Sequence, residues 1–173
     1  MATNTLNTLI VLFSYHQMNT EKIAKVFAEV FNASIQNPLH TDPQEIQNYQ
    51  IVGFGSGIYS ESFHKAMLDF ADKLPIAEGT KAFLFSTDGG PRGLMKDDHP
   101  MAKEQLRKNH RKIKERLITK GYEIIGEFNC AGLNKNSFLK LFGGLNKGRP
   151  NSQDLSNARK FAHDTLQKFT SGS

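Results

Sequence analysis

Apolar positions along the chain follow two alternating patterns. Short runs rich in β-branched and aromatic residues, such as Thr8-Leu-Ile-Val-Leu-Phe-Ser14, are separated by longer stretches in which apolar residues recur every three or four positions. Such alternation predicts parallel βα units. The first run is apolar throughout, as expected of a strand covered on both faces. Thr20 to Phe31 then places Ile23, Ala24, Phe27, Val30 and Phe31 on one helical face, with Asn19 as its N-cap. Ala33 to Ile35 reads as a weak second strand. Asp42-Pro43-Gln44-Glu45 sets a cap residue, a first-turn proline and a carboxylate in helix-starting order, opening a short helix. Gln50 to Ser56 predicts the third strand, and Phe63 to Leu74 the next helix, stopped by Pro75. Lys81 to Ser86 is the fourth strand, Ala102 to Lys120 a helix ended at Gly121, and Tyr122 to Asn129 the fifth strand. A glycine-bearing loop, Cys130 to Pro150, leads to a last helix from Ser152 to about Phe169.

With 173 residues and no internal repeat, low-complexity tract or linker, residues 1–173 read as one α/β domain with an open, doubly wound sheet. The longest apolar run, Leu9 to Phe13, is far shorter than the ~20 residues of a membrane helix, and the first eight residues lack the features of a secretory signal. A cytoplasmic protein without integral membrane contact is expected. The single cysteine, Cys130, excludes an internal disulfide and sulfur-rich metal sites, and the six scattered histidines have no metal-ligand spacing. No metal is therefore expected.

The net charge of +5 is local. Ala102 to Lys120 carries eight basic residues against Glu104 and Glu115, while the rest of the chain holds 14 basic and 15 acidic residues. The high pI thus belongs to one helix. Without aromatic interleaving or a nucleic-acid-binding motif, that helix does not point to nucleic acid. It would favour an acidic partner surface.

In a doubly wound sheet, ligands bind beyond the carboxyl ends of the strands. Three loops qualify: Ser14 to Thr20, Ser56 to Ser62, and Ser86 to Gly93. The first joins a buried strand to a helix N-terminus, where backbone N–H groups attract an anion, and it carries hydroxyls but no Lys or Arg. It lacks the fingerprints of nucleoside triphosphate and dinucleotide folds. At the second, Gly53, Gly55 and Gly57 crowd the carboxyl end of the third strand, which is read as admitting a flat ligand close to the backbone, with Tyr59 beside it. The third, Ser86-Thr-Asp-Gly-Gly90, again combines hydroxyls with glycines.

Together these segments resemble the flavodoxin family. Ser14 to Lys25, SYHQMNTEKIAK, resembles its phosphate loop; VGFGSGIYSESFHKAM and FLFSTDGG resemble its two flavin loops; and the tail GEFNCAGLNKNSFLKLFGGLNKGRPNSQDLSNARKFA is similar to that of bacterial and archaeal members. The likeness runs from Thr8 to Phe169. It implies a flavodoxin-like five-stranded parallel sheet in the order 2-1-3-4-5, with helices on both faces. It further implies bound flavin mononucleotide (FMN) and electron transfer between redox partners. By resemblance, Ser14, His16, Gln17, Met18, Asn19 and Thr20 hold the phosphate. Ser56, Gly57, Ile58, Tyr59 and Ser60 line one side of the isoalloxazine, and Ser86, Thr87, Asp88, Gly89 and Gly90 the other. Two features depart from the family pattern: Met18 replaces a glycine before Asn-Thr, and the chain is basic where carrier flavodoxins are acidic. GSGIYSESFHKA also resembles a loop of flavodoxin-like protoporphyrinogen dehydrogenases, which are basic. An FMN enzyme of that kind, a quinone reductase, or a binding module without cofactor are therefore the alternatives to a carrier. No Ser/His/Asp or Cys/His constellation is evident from spacing, so no protein side chain is read as a catalyst and the flavin would carry the chemistry.

Overall fold

The computed structural model describes residues 6–90, 99–134 and 144–171, with backbone alone at His16 and Ser171. Strand β1 (Thr8–Phe13) pairs in parallel with β2 (Ser34–Gln36) on one side and β3 (Ile51–Tyr59) on the other. Beyond β3 lie β5 (Lys81–Asp88) and β6 (Glu123–Ala131), also parallel. The order β2-β1-β3-β5-β6 is the expected doubly wound arrangement. A further short strand, β4 (Ser62–Phe63), was not foreseen. It folds back antiparallel on the end of β3, pairing Ser62 with Tyr59 and Phe63 with Ile58.

Helices cover both faces. On one side α1 (Asn19–Phe31) and α4 (Ser152–Ser171) bury Ile23, Phe27, Phe31, Ala158 and Ala162 against Ile10, Phe83 and Phe85. On the other, α2 (Lys65–Lys73) and α3 (Pro100–Thr119) bury Met67, Phe70, Ile113 and Leu117 against Val11, Phe54 and Leu84. Alternation along each strand makes this possible: Phe83 and Phe85 face α1, whereas Leu84 faces α3.

The glycines of β3 have a packing role that the sequence reading assigned differently. A Cβ on Gly53 would stand 2.3 Å from the Phe83 ring, and one on Gly55 2.1 Å from the Phe85 ring. Phe27 in turn meets Phe85 edge-on, with ring centroids 4.9 Å apart. Gly53 and Gly55 thus make room for the protein's own aromatic core, not for a ligand.

Several boundaries also shift. Tyr59 closes a strand, so most of Ser56 to Ser62 is sheet rather than loop, and β5 runs through Thr87 to Asp88. Cys130 is buried inside β6. Beyond β6 the chain forms an antiparallel bridge, Asn134 with Leu145, inside the segment expected to be loop. Helix α2 begins two residues later than expected, after its N-cap His64.

Replacing Gly55 by Ala is expected to destabilise the protein by about 1–3 kcal/mol through overpacking against Phe85, as a lowered urea midpoint. Combining it with Phe85→Leu should restore part of the loss, because the added methyl then meets a smaller side chain.

Candidate functional site

Strand order reverses between β1 and β3, and their carboxyl ends open the crevice where open α/β sheets take ligands. The first turn after β1 is unusual. Gln17 and Met18 have φ of 62° and 52°, the left-handed region that β-carbon-bearing residues rarely adopt, at a cost on the order of 1 kcal/mol each. Met18, exposed on the surface, takes the conformation that a glycine supplies readily. Left-handed Met18 followed by right-handed Asn19 makes successive N–H groups converge, an arrangement that favours an anion.

Asn19 does not cap α1, contrary to the sequence reading. Its side-chain amide donates to the Leu133 carbonyl at 2.9 Å, across to the chain after β6. Thr20 turns inward as well, its hydroxyl 2.8 Å from that of Thr87 in β5. With both side chains committed sideways, α1 has no side-chain cap. Among the described residues the other α-helices and the 3-10 turn Pro43–Asn48 each have one. His64 accepts from Ala66 N–H, His99 from Met101 N–H, and Asp42 from Gln44 N–H at the 3-10 turn Pro43–Asn48. Asn151 and Asp154 accept reciprocally from each other's backbone N–H at α4. The N-terminus facing the crevice is the one left to an external acceptor.

The second wall is the β3–β4 hairpin. Its turn residues Ser60 and Glu61 have φ of 48° and 59°, the two-residue geometry that ordinarily calls for Asn-Gly. Four of the six described non-glycine residues at positive φ therefore lie in the two loops flanking the crevice. Tyr59 folds back so that its ring lies over Gly57, 3.2 Å from where a Cβ would stand, and meets His64 edge-on at 5.1 Å. Burial raises its phenol pKa, partly offset by a hydrogen bond from the Tyr15 backbone. His64 also stacks on Phe13 at 4.1 Å, joining the ends of β1, β3 and α2.

A cleft of about 220 Å³ opens between that hairpin and the end of β5, lined by Ile58, Ser60, Glu61, Asp88, Gly89, Gly90, Gln105 and Asn134. Asp88 shapes it, accepting from Gly90 N–H at 2.7 Å and from the Asn109 amide at 3.1 Å. Asn134 and Asn146 donate to the Gly89 and Gly90 carbonyls, so the chain after β6 braces the β5 loop. Glu61, Gln105 and Asn134 were missed from sequence. Glu61 sits within the segment Ser56 to Ser62, but Gln105 and Asn134 carry no local signal because helix packing and a distant bridge deliver them. Of the residues expected here, Ser56 and Ser86 are wholly buried. Ser56 donates to the Gly57 carbonyl and accepts from His64 N–H. Ser14 directly follows β1 at the mouth of the crevice, half-buried. The His16 side chain and the rest of the third loop, 91–93, lie outside the described residues.

Ser86 belongs to a constellation that spacing did not reveal. Its hydroxyl is 2.8 Å from His110 Nε2; His110 Nδ1 is 3.1 Å from Glu127 Oε2, and Lys114 pairs with the other Glu127 oxygen. Burial pushes the Glu127 carboxyl up, but the hydrogen bonds and charges of His110 and Lys114 outweigh it and hold the pKa down.

No family model matches the chain. The uncharacterized protein MJ0298 of Methanocaldococcus jannaschii is 41% identical over 162 residues, covering 94% of this chain and 99% of that protein. The chain belongs to the same family as that protein. Its fold is the flavodoxin fold: flavodoxin 2 of Bacillus cereus superposes with a TM-score of 0.64 at 20% identity, covering 94% of this chain and 99% of its own. A Fusobacterium nucleatum flavodoxin bound to flavin mononucleotide does so with a TM-score of 0.60 at 13% identity, covering 96% and 99%. Among the described residues no cluster of His, Cys, Asp and Glu could hold a metal, and no helix is long and apolar enough to cross a membrane.

The flavodoxin-fold edge is pH-sensitive through His64. Its Nδ1 accepts a backbone N–H, and burial lowers its pKa from 6.5, against a smaller opposing pull from Asp69. Below 6.5 the unfolded chain binds more protons than the folded one, so this contribution to stability is complete above that value and is lost as pH falls through the lowered folded pKa. Urea denaturation between pH 5 and 7.5 should show stability rising with pH, with a shallower rise in His64→Asn, which keeps a capping side chain that does not titrate.

Proposed function

We propose that this flavodoxin-fold protein binds FMN at the crevice and carries electrons between redox proteins. The observation that carries this reading is the uncapped N-terminus of α1, opening on strained, left-handed Gln17 and Met18. One anion position at that point, with no dinucleotide fingerprint, suits a flavin mononucleotide better than FAD or a nicotinamide. When bound, the flavin supplies reversible electron acceptance. The residues fit that group. Backbone N–H groups of Gln17, Asn19 and Thr20, with Ser14 and His16 beside them, would hold the phosphate, the Met18 N–H being turned to the Tyr15 carbonyl. Gly57, Ile58, Tyr59 and Ser60 would flank one side of the ring system, and Asp88, Gly89 and Gly90 the other. Thr20, Thr87, Ser56 and Ser86 are committed to internal hydrogen bonds and would keep these walls in place.

Helix α3 would meet the partner. Arg107 pairs with Glu104, Lys108 with Glu61, and Arg116 with Asp72, but among the described residues Lys103, Arg111 and Lys112 form no ion pair. An acidic protein surface is the complementary partner.

Met18→Asp tests the cofactor site. A carboxylate at this exposed position suits the helix dipole, so folding stability should hold or rise, while repulsion of the phosphate should weaken FMN at least tenfold, about 1.4 kcal/mol. Fluorescence titration reads the affinity; wild-type affinity in the folded variant would remove the phosphate from this turn. For α3, reduction by an acidic redox protein should slow as salt shortens the Debye length to ~8 Å at physiological strength. Stopped-flow rates that stay flat or rise with salt would remove this helix from the docking face.

A further inference from the structure

Between α3 and the sheet runs a buried polar strip that cofactor binding does not use. His110, fully buried, stands between Ser86 and Glu127, and Glu127 leads outward to Lys114, whose side chain is 40% exposed. Ser86 lies two residues before cleft-lining Asp88 on the same face of β5, and it pairs across the sheet with Ser56, two residues before cleft-lining Ile58. Two residues of strand span roughly 6.6 Å. His110 is therefore one pleat below the cleft floor.

We propose that His110 is a redox-linked proton site, taking up a proton from solvent when the cofactor in the neighbouring cleft is reduced. The inference rests on FMN occupying that cleft. Glu127 is held ionised and can only accept, so His110 Nδ1 donates to it in both protonation states. The change falls on Nε2. Neutral, it accepts the Ser86 O–H; protonated, it donates to Ser86 Oγ, and the hydroxyl proton turns to another acceptor. The electron enters the cofactor from its reductant and the proton enters Nε2 from bulk water, so the added negative charge is offset without a bond between the two sites.

The surroundings suit the role. Glu127 from β6 favours the imidazolium, and Lys114 on the same helix opposes it. Asp88 of β5 is tied to the adjacent Asn109, and Glu61 of the β3–β4 turn is neutralised by Lys108. Phe63 of β4 meets the imidazole edge-on at 5.1 Å and excludes water on that side. At an effective dielectric of ~20, a unit charge ~10 Å away moves a pKa by about one unit.

The test is a pH titration of the histidine imidazole signals in 15N-labelled full-length protein loaded with FMN, oxidised and then reduced with dithionite. His110→Gln assigns the signal; should that variant not fold, nuclear Overhauser contacts with the Phe63 ring assign it. The His110 pKa should rise by about one unit on reduction. In Glu127→Gln, which loses the carboxylate that favours the imidazolium, it should fall in both redox states. An unchanged His110 titration in FMN-loaded protein overturns this inference and leaves cofactor binding standing. Failure to bind FMN at all overturns both.

Discussion

Two phenylalanine rings seated over two missing side chains hold the centre of this protein. Phe83 and Phe85 lie across Gly53 and Gly55, which sets β5 against β3 in a single register. Because side chains alternate along a strand, a slip of one residue would send both rings to the opposite face and leave the glycines facing a void. Everything at the carboxyl edge inherits that register. Asp88 and Ile58 reach the cleft on one face, Thr87 reaches Thr20 on the other, and Ser86 is delivered to His110.

At the edge itself the distribution of hydrogen bonds explains where strain is tolerated. Asn19 and Thr20 spend their side chains joining the start of α1 to the chain after β6 and to β5, and Asn134 and Asn146 join the chain after β6 to the loop after β5. The bonds of Asn19 and Thr20 fix the backbone that follows left-handed Gln17 and Met18, and the pairing of Tyr59 with Ser62 and of Glu61 with Lys108 closes the turn that holds Ser60 and Glu61 left-handed. The same bonds of Asn19 and Thr20 leave the α1 N-terminus without a side-chain acceptor while the other helix starts are closed by His64, His99 and the Asn151–Asp154 pair. The free start of α1 thus results from where polar side chains are absent as much as from where they point.

Charge on α3 divides into inward and outward parts. Lys114, Arg116 and Lys120 are tied to Glu127, Asp72 and the Leu74 carbonyl, so they join the helix to the sheet, to α2 and to the chain beyond α2. Lys103, Arg107, Lys108, Arg111 and Lys112 are exposed. A run that looks uniform in sequence therefore combines structural bracing with a surface field, and buried Asn109 and His110 on the same helix add an internal polar strip.

The sequence by itself determined the parallel βα alternation, the order of the five parallel strands and the helices between them, and the two-faced burial of the central strands. These follow from local periodicity and short-range capping rules, which act within a few residues. Tertiary structure alone decided what the polar residues do. Asn19 fits an N-cap by position but bonds to Leu133, 114 residues away. Gly53 and Gly55 suggest room for a ligand, yet a ring 30 residues along fills each gap. Ser86, His110 and Glu127 form one chain of contacts only because α3 packs over the junction of β5 and β6. A side-chain hydrogen bond or a filled gap depends on whichever group the fold brings within about 3–4 Å, and local periodicity holds no record of that partner.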